Sequence, residues 1–453
     1  MLIVLSDLHF TETKSSQTGT NRYSRNLPAE TYLAYFAEVN QLASANEINK
    51  VDLVLAGDIL EISRSAIWLE GENRPYIDNA AVEPGSQAEA TILKILHAIG
   101  EDADVSATLD LFTNIQDCFD MEVRLHLILG NHDRLANATP SIRSTVRGMF
   151  GLPGGDALFD HHLIMSDHLG KPFCLIRHGH EYDRTNFAMD VLASEAIPTF
   201  IPESVYGLSS LGDITTIEFG ASLPWLFVNR YGEEAILGDE TLMAVYERLM
   251  EFDDVRPASA WMSFLFSTPD VDERRTWELI KPCFTDIINN LSHHEQFLNT
   301  LKQTAAINRV SRWILMGILR SGIMRDGVPY WLVRLIMNRV SKTIKLKSQA
   351  EWAKNEELIL DEDSGCKCVI SGHSHFAELT LLSAKHGDER YYLNTGTWRN
   401  FLPATNHFDQ FGRLKALTKV IVFYPFEKPQ EVNGRSWAFH FLSGVSFGDH
   451  RHI

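Results

Sequence analysis

Five short segments of the chain carry side chains able to hold a divalent ion: Asp7-Leu8-His9, Gly57-Asp58-Ile59-Leu60-Glu61, Gly130-Asn131-His132-Asp133, His178-Gly179-His180 and Gly372-His373-Ser374-His375. In Asp-x-His and His-x-His the spacing of two lets both side chains leave an extended backbone on one face. The neighbouring glycines allow sharp turns and close approach. Carboxylate, imidazole and amide oxygen without thiolate form a set suited to manganese, iron or catalytic zinc rather than to a structural zinc site. Asp7, His9, Asp58, Asn131, His178, His373 and His375 make seven candidate ligands. One ion takes about four to six, so seven point to two ions sharing a bridging carboxylate, with Asp58 the natural bridge.

Each fragment alone has a bland reading. A lone Asp-x-His is a satisfied polar pair, Gly-Asn-His-Asp a turn with helix caps, and Gly-His-Ser-His a loop. Their common position argues otherwise, because every one comes directly after a short apolar run. Leu2–Ser6, Val51–Ala56, Val123–Leu129, Phe173–Arg177 and Lys367–Ser371 have the length and β-branched content of buried strands. Helical periodicity over Ala29–Asn46 (Leu33, Phe36, Ala37, Leu42) and Gln87–Ile99 (Ile92, Leu93, Leu96, Ile99) separates the first three. Alternation of strand and helix predicts an α/β layered sheet, whose ligands gather at the carboxyl ends of strands. The polar segments Thr11–Pro28 and Ser63–Gly85 should then rim the site. Further strands are expected at Ala377–Ser383, Arg390–Asn394, Lys419–Tyr424 and Ala438–Leu442.

The five segments together resemble the five motif blocks of calcineurin-like metallophosphoesterases, over about residues 1–184 and 355–453. The resemblance implies a four-layer α/β/β/α sandwich with a dinuclear metal centre: Asp7, His9, Asp58 and His375 on one ion, and Asp58, Asn131, His178 and His373 on the other. The run Asn394-Thr395-Gly396-Thr397 is similar to the segment after the last histidine block in that family. Glu61 stands where many members have Asp, and His180 where some have Asp. The chemistry implied is hydrolysis of a phosphoester or pyrophosphate by a hydroxide that two divalent ions generate, manganese first and iron or zinc as alternatives. His132 is expected to protonate the leaving group and Asp133 to orient its ring, with plain loop capping the other reading of Asp133. Residues 1–184 and 355–453 form the expected core.

Residues 185–354 lack the strand–glycine rhythm and read as a helical insertion, with helices at Leu242–Phe252, Arg275–Asn289, Glu295–Gly317 and Val328–Lys347. Arg309–Lys347 carries nine Lys/Arg against one acid, Asp326, in a chain of net charge −18. Basic residues interleaved with Trp313, Leu319, Trp331 and Leu335 predict an amphipathic hairpin. It could pack on the core, cap the site over an anionic substrate, or lie on an anionic membrane surface. An insertion here is similar to the cap of UDP-diacylglucosamine pyrophosphatases, although those carry Arg where His132 stands. A lipid-linked pyrophosphate is thus one alternative substrate, beside a small phosphoester. DNA is another, since the same blocks resemble the exonuclease branch. Overall acidity disfavours a generally basic nucleic-acid surface. An inactive scaffold is the remaining alternative, and such proteins lose ligands. The composition, 45% hydrophobic and 22% charged over 453 residues, excludes a disordered or collagenous chain. Five cysteines without a CxxC pair, no signal-like start and no long apolar run predict a cytoplasmic protein in a reducing compartment.

Overall fold

A computed structural model describes residues 1–16, 25–78, 81–303, 330, 348–385, 387–425, 427 and 437–447. It is a mixed α/β structure with two sheets. The first contains β1 (Leu2–Leu5), β2 (Lys50–Ala56), β3 (Glu122–Ile128), β6 (Val255–Arg256), β10 (Asn400–Pro403), β11 (Leu414–Phe423) and β12 (Ala438–Phe447). Its order is β3-β2-β1-β11-β10-β6, with β12 also paired to β11. β1, β2 and β3 are parallel, with Ile3 beside Leu53 and Leu53 beside Leu125. The second sheet has the order β4-β5-β7-β9-β8, from β4 (His162–Ser166), β5 (Pro172–Arg177), β7 (Cys368–Ser371), β8 (Ala377–Lys385) and β9 (Asp388–Thr395). Its three middle strands are parallel.

Side chains that alternate across a strand sort these sheets into separate cores. Leu2, Val4, Val54 and Ala56 of the first sheet pack with Cys174, Ile176, Cys368, Ile370 and Leu393 of the second. The odd neighbours Ile3, Leu5, Leu53 and Leu55 face a different cluster, built with the helices α1 (Ala29–Ala45), α2 (Gln87–Glu101), α3 (Ala103–Thr113) and α4 (Pro140–Met149). Leu175, Val369 and Tyr392 face a third. α1 begins where expected, but its buried stripe is Tyr32, Tyr35, Phe36 and Val39, while Leu33 is exposed. Tyr32 stacks on Trp398 at 5.4 Å, so large aromatic rings outweigh leucine in choosing the buried face.

The strands expected from the sequence all form, with ends shifted by a few residues. Three more were not anticipated: β4, β10 and β6. β6 is the significant one, because it lies inside the stretch expected to be helical. Val255 pairs with Leu402 and Arg256 with Pro403, which stitches the insertion to the first sheet. The helices α6 (Glu240–Glu251), α7 (Glu273–His293) and α8 (Glu295–Gln303) match expected ones, and α5 (Ser222–Tyr231) was missed because Pro224 interrupts the pattern. Phe227, Leu249, Trp277 and Ile280 of these helices belong to the same apolar cluster as α1–α4. Apart from Tyr330, the expected helix Val328–Lys347 and the basic stretch Arg309–Lys347 lie outside the described residues, as does the expected helix Glu295–Gly317 beyond Gln303.

Candidate metal centre

Asp7 and His9 follow β1, Asp58 follows β2, Asn131 follows β3, His178 follows β5, and His373 and His375 follow β7. The carboxyl ends of these five strands, three from the first sheet and two from the second, bring six of these residues together, and Asn131 lies in the loop whose His132 nitrogen donates to Asp58 Oδ1 at 2.8 Å. Asp7, His9 and His375 offer ligand atoms within 4.8 Å of one another, and Asp58, His178 and His373 form a second such group. His9 Nε2 lies 3.2 Å from His375 Nε2, and His375 Nε2 lies 3.3 Å from Asp7 Oδ1. Asp58 Oδ2 joins the two groups, 3.0 Å from His178 Nε2 and 3.8 Å from His9 Nε2.

The backbone is strained where these ligands sit. Asp7, His9, Asp58, His373 and His375 all have φ between 47° and 67°. Side chains with a Cβ rarely adopt this left-handed conformation, and it concentrates at functional sites. Two glycines admit the resulting crowding. A Cβ on Gly57, itself at φ 86°, would lie 2.6 Å from the His178 ring. A Cβ on Gly130 would lie 2.6 Å from the Asp58 nitrogen and 2.8 Å from His178 Cδ2.

Outer partners aim the rings inward. His178 Nδ1–H donates to the Ala56 carbonyl at 3.0 Å, which turns Nε2 towards the Asp58 carboxylate, 3.0 Å from Oδ2. His9 Nδ1 bonds Glu61 Oε2 at 2.8 Å, and His373 Nε2 bonds Asp183 Oδ2 at 3.2 Å. These are the carboxylate–imidazole pairs that orient metal-bound histidines. Ser6 Oγ bonds Asp7 Oδ2, and Thr397 Oγ1 donates to the Asp7 carbonyl at 2.8 Å, so the Asn394–Thr397 strand end supports Asp7.

Two buried polar atoms test whether the site fits cations. Asn131 Oδ1 and His178 Nε2 are both sealed from solvent without a hydrogen-bond partner. Leaving an acceptor such as Asn131 Oδ1 unsatisfied costs about 1–3 kcal/mol, and a cation held there would satisfy it. The same field shows as proton affinity. Burial disfavours the His178 imidazolium, yet Asp58 and Asp7 outweigh it and push its pKa up to about 10. Burial likewise opposes ionisation of Asp58, and the surrounding imidazoles nevertheless hold its carboxyl well below the usual range. The donor set, its inward aim and its unsatisfied polar atoms fit divalent ions.

His132 is partly exposed at the edge of this cluster, its ring edge-on to His9 at 4.8 Å. Its Nδ1 lies 2.5 Å from Glu61 Oε1. Asp133, expected to orient that ring, does not. Its carboxylate accepts from the backbone nitrogens of Ile59 at 2.8 Å and Gly130 at 2.6 Å, tying the second and third ligand loops together. The orienting carboxylate is Glu61, whose two oxygens serve His132 and His9. An adjacent residue on a tight turn points away from its neighbour, so proximity in sequence misled here. The His180 ring lies 5.4 Å from that of His178 and 6.3 Å from that of His373. It is buried against Phe187 and Tyr206, and burial pushes its pKa down to about 3.

Four arginines lie next to the strand-end segments in the sequence, Arg22, Arg25, Arg184 and Arg399, where they could grip a phosphate or simply be solvated; Arg25 and Arg399 are 4% and 3% exposed. Arg25 and Arg64 pair with Asp253, and Arg399 pairs with Asp254. Arg184, by contrast, is half-exposed and pairs with Asp190. Arg22 lies outside the described residues. Arg64 also borders a cavity of about 460 Å³ lined by Trp225, Val228, Ile236 and Tyr246, which none of the seven ligands reaches. Asp183, Arg256 and the Asp253–Asp254 pair were not anticipated. They lie in the insertion or just before it, with no motif to mark them. No family model matches the chain, and no curated protein matches it significantly. Among the described residues no helix is long and apolar enough to cross a membrane.

Proposed function

We propose that the protein is a phosphoesterase dependent on two divalent metal ions, hydrolysing a phosphoester or pyrophosphate bond on a calcineurin-like metallophosphoesterase scaffold. The observation that carries this reading is Asp58, whose single oxygen Oδ2 faces His178 of one group and His9 of the other. A carboxylate so placed could be shared by two ions. Three separate apolar clusters, one between the sheets and one on the outer side of each, support the four-layer sandwich.

Asp7, His9, Asp58 and His375 would hold one ion, and Asp58, Asn131, His178 and His373 the other. When bound, such a pair supplies charge neutralisation on the phosphoryl oxygens and a lowered pKa of water. The chain's own residues do the rest. Glu61 fixes the His132 ring through Nδ1, leaving Nε2 to carry a proton towards the leaving oxygen. Burial opposes the His132 imidazolium, but Glu61 and Asp58 outweigh it and push its pKa up to about 9, so the ring is charged and able to donate at neutral pH. Asp133 keeps Ile59 and Gly130 in place, and with them the turns that present Asp58 and Asn131.

The test is turnover of bis-p-nitrophenyl phosphate and p-nitrophenyl phosphate by protein stripped with chelator and reloaded with Mn²⁺, Fe²⁺ or Zn²⁺. Activity that disappears on stripping and returns on reloading supports the reading. Metal-loaded protein inert on both esters and on pyrophosphate diesters contradicts it. A steeply salt-dependent activity on DNA would favour the nuclease instead.

A further inference from the structure

The inserted segment approaches the candidate metal centre at the turn Asp253-Asp254-Val255-Arg256, among other places. Its two carboxylates are clamped by Arg25, Arg64 and Arg399, which come from the loops after β1 and β2 and from the strand end before β10. β6 then pairs with β10, fixing the direction in which Arg256 leaves the backbone. The result is that Arg256 Nη2 lies 2.8 Å from Nδ1 and 3.1 Å from Nε2 of His375.

Arg256 differs from the three arginines beside it. Each of those has a carboxylate within ion-pairing distance. The Nη1 of Arg256 donates only to the carbonyls of Asp253, at 2.6 Å, and Val255, at 3.0 Å. Among the described residues no carboxylate lies within 4.0 Å of it. Asp253, Asp254 and Glu61 pair with the other three guanidinium groups, so Arg256 is the one at this turn that faces the candidate ligands without an ion pair of its own. Arg256 is part-buried beside His375, and an arginine fork suits the oxygens of a phosphoryl group. An imidazole nitrogen that holds a metal ion has no lone pair left for Arg256. With an ion on that ring, Nη2 would be free to donate to an anion bound beside His375.

Building on the phosphoesterase reading above, we propose that Arg256, delivered by the insertion, is an anion-binding residue that grips a non-bridging oxygen of the substrate phosphoryl group. The insertion is then part of the substrate site, irrespective of what the rest of it covers.

The experiment compares wild type, Arg256→Gln and Arg256→Lys, each loaded with Mn²⁺, by metal content, by calorimetric titration with inorganic phosphate, and by kcat/KM on p-nitrophenyl phosphate. The expected result is wild-type metal content in both variants. Phosphate affinity and kcat/KM should fall at least tenfold in Arg256→Gln, with part of both recovered in Arg256→Lys. Unchanged phosphate affinity in a metal-loaded Arg256→Gln protein overturns the proposal. Loss of metal from both variants also overturns it, since the arginine then only props His375. Wild type that takes up no metal refutes the phosphoesterase reading itself, a result visible before any variant is made.

Discussion

Glu61 Oε1 lies 2.5 Å from His132 Nδ1, while the other oxygen of the same carboxylate lies 2.8 Å from His9 Nδ1. One buried side chain thus orients both a metal-ligating ring and the ring that is to donate a proton. His132→Ala should retain both ions and lose roughly 100- to 10,000-fold in turnover on esters with poor leaving groups, with little loss on p-nitrophenyl esters. An acid donates only below its pKa, so activity should fall as pH rises through the His132 pKa. That value is pushed up to about 9 by Glu61 and Asp58 against the effect of burial, and bound cations act to lower it. Glu61→Gln removes a negative charge beside the ring and should move this alkaline limb to lower pH. A pH profile of kcat/KM for the two proteins checks the sign.

Asp133 makes a different prediction. It accepts from Ile59 and Gly130 and does not touch the His132 ring, so Asp133→Ala should cost about 1–3 kcal/mol of stability by denaturant titration. The alkaline limb of the pH profile should stay where it is in wild type. A limb displaced as far as in Glu61→Gln would return Asp133 to the orienting role.

Crowding at Gly130 can be read out through metal. The methyl group of Gly130→Ala would press on the Asp58 nitrogen and the His178 ring, at 2.6 and 2.8 Å. Displacing two ligands of one centre should weaken metal binding by roughly 10- to 100-fold. Gly100→Ala, in α2 with nothing within 4 Å of the new methyl, is the control and should bind metal as wild type.

Away from the ligands, Glu356 is fully buried and accepts from Tyr182 Oη at 2.6 Å, with Arg177 Nη1 at 3.4 Å. Burial outweighs Arg177 and pushes the Glu356 carboxyl up to about 7. Between about pH 4.5 and pH 7 the folded chain therefore holds a proton that the unfolded chain has released, and stability falls as pH rises across that window. Glu356→Gln cannot titrate. Its stability relative to wild type should climb by about 2–3 kcal/mol from pH 4.5 to pH 7.5, measured by urea unfolding at a series of pH values. A difference that stays flat with pH would contradict the assignment.

The candidate ligands were legible in the sequence because each sits within four residues of the end of a strand whose apolar run is plain to see. Both sheets place those ends together, as with Asp7 after β1 and His178 after β5. The central strands were legible for the same reason. Edge strands such as β4, with its half-buried His162 and Leu163, carry a weaker apolar signal. Roles that depend on direction were not legible. Asp133 adjoins His132 and turns away from it, whereas Glu61 is 71 residues distant and touches it. Nor could spacing reveal Arg256. Its position depends on a two-residue strand pairing and on buried ion pairs that join segments more than 140 residues apart.

The most direct test of the account is metal content. Protein purified, stripped and reloaded with excess Mn²⁺ should hold two ions per chain by elemental analysis after desalting, and Asp58→Ala, lacking the shared carboxylate, should hold almost none while remaining folded by circular dichroism. Two ions retained by a folded Asp58→Ala protein, or no tightly held ion in wild type with any of manganese, iron or zinc, would contradict it.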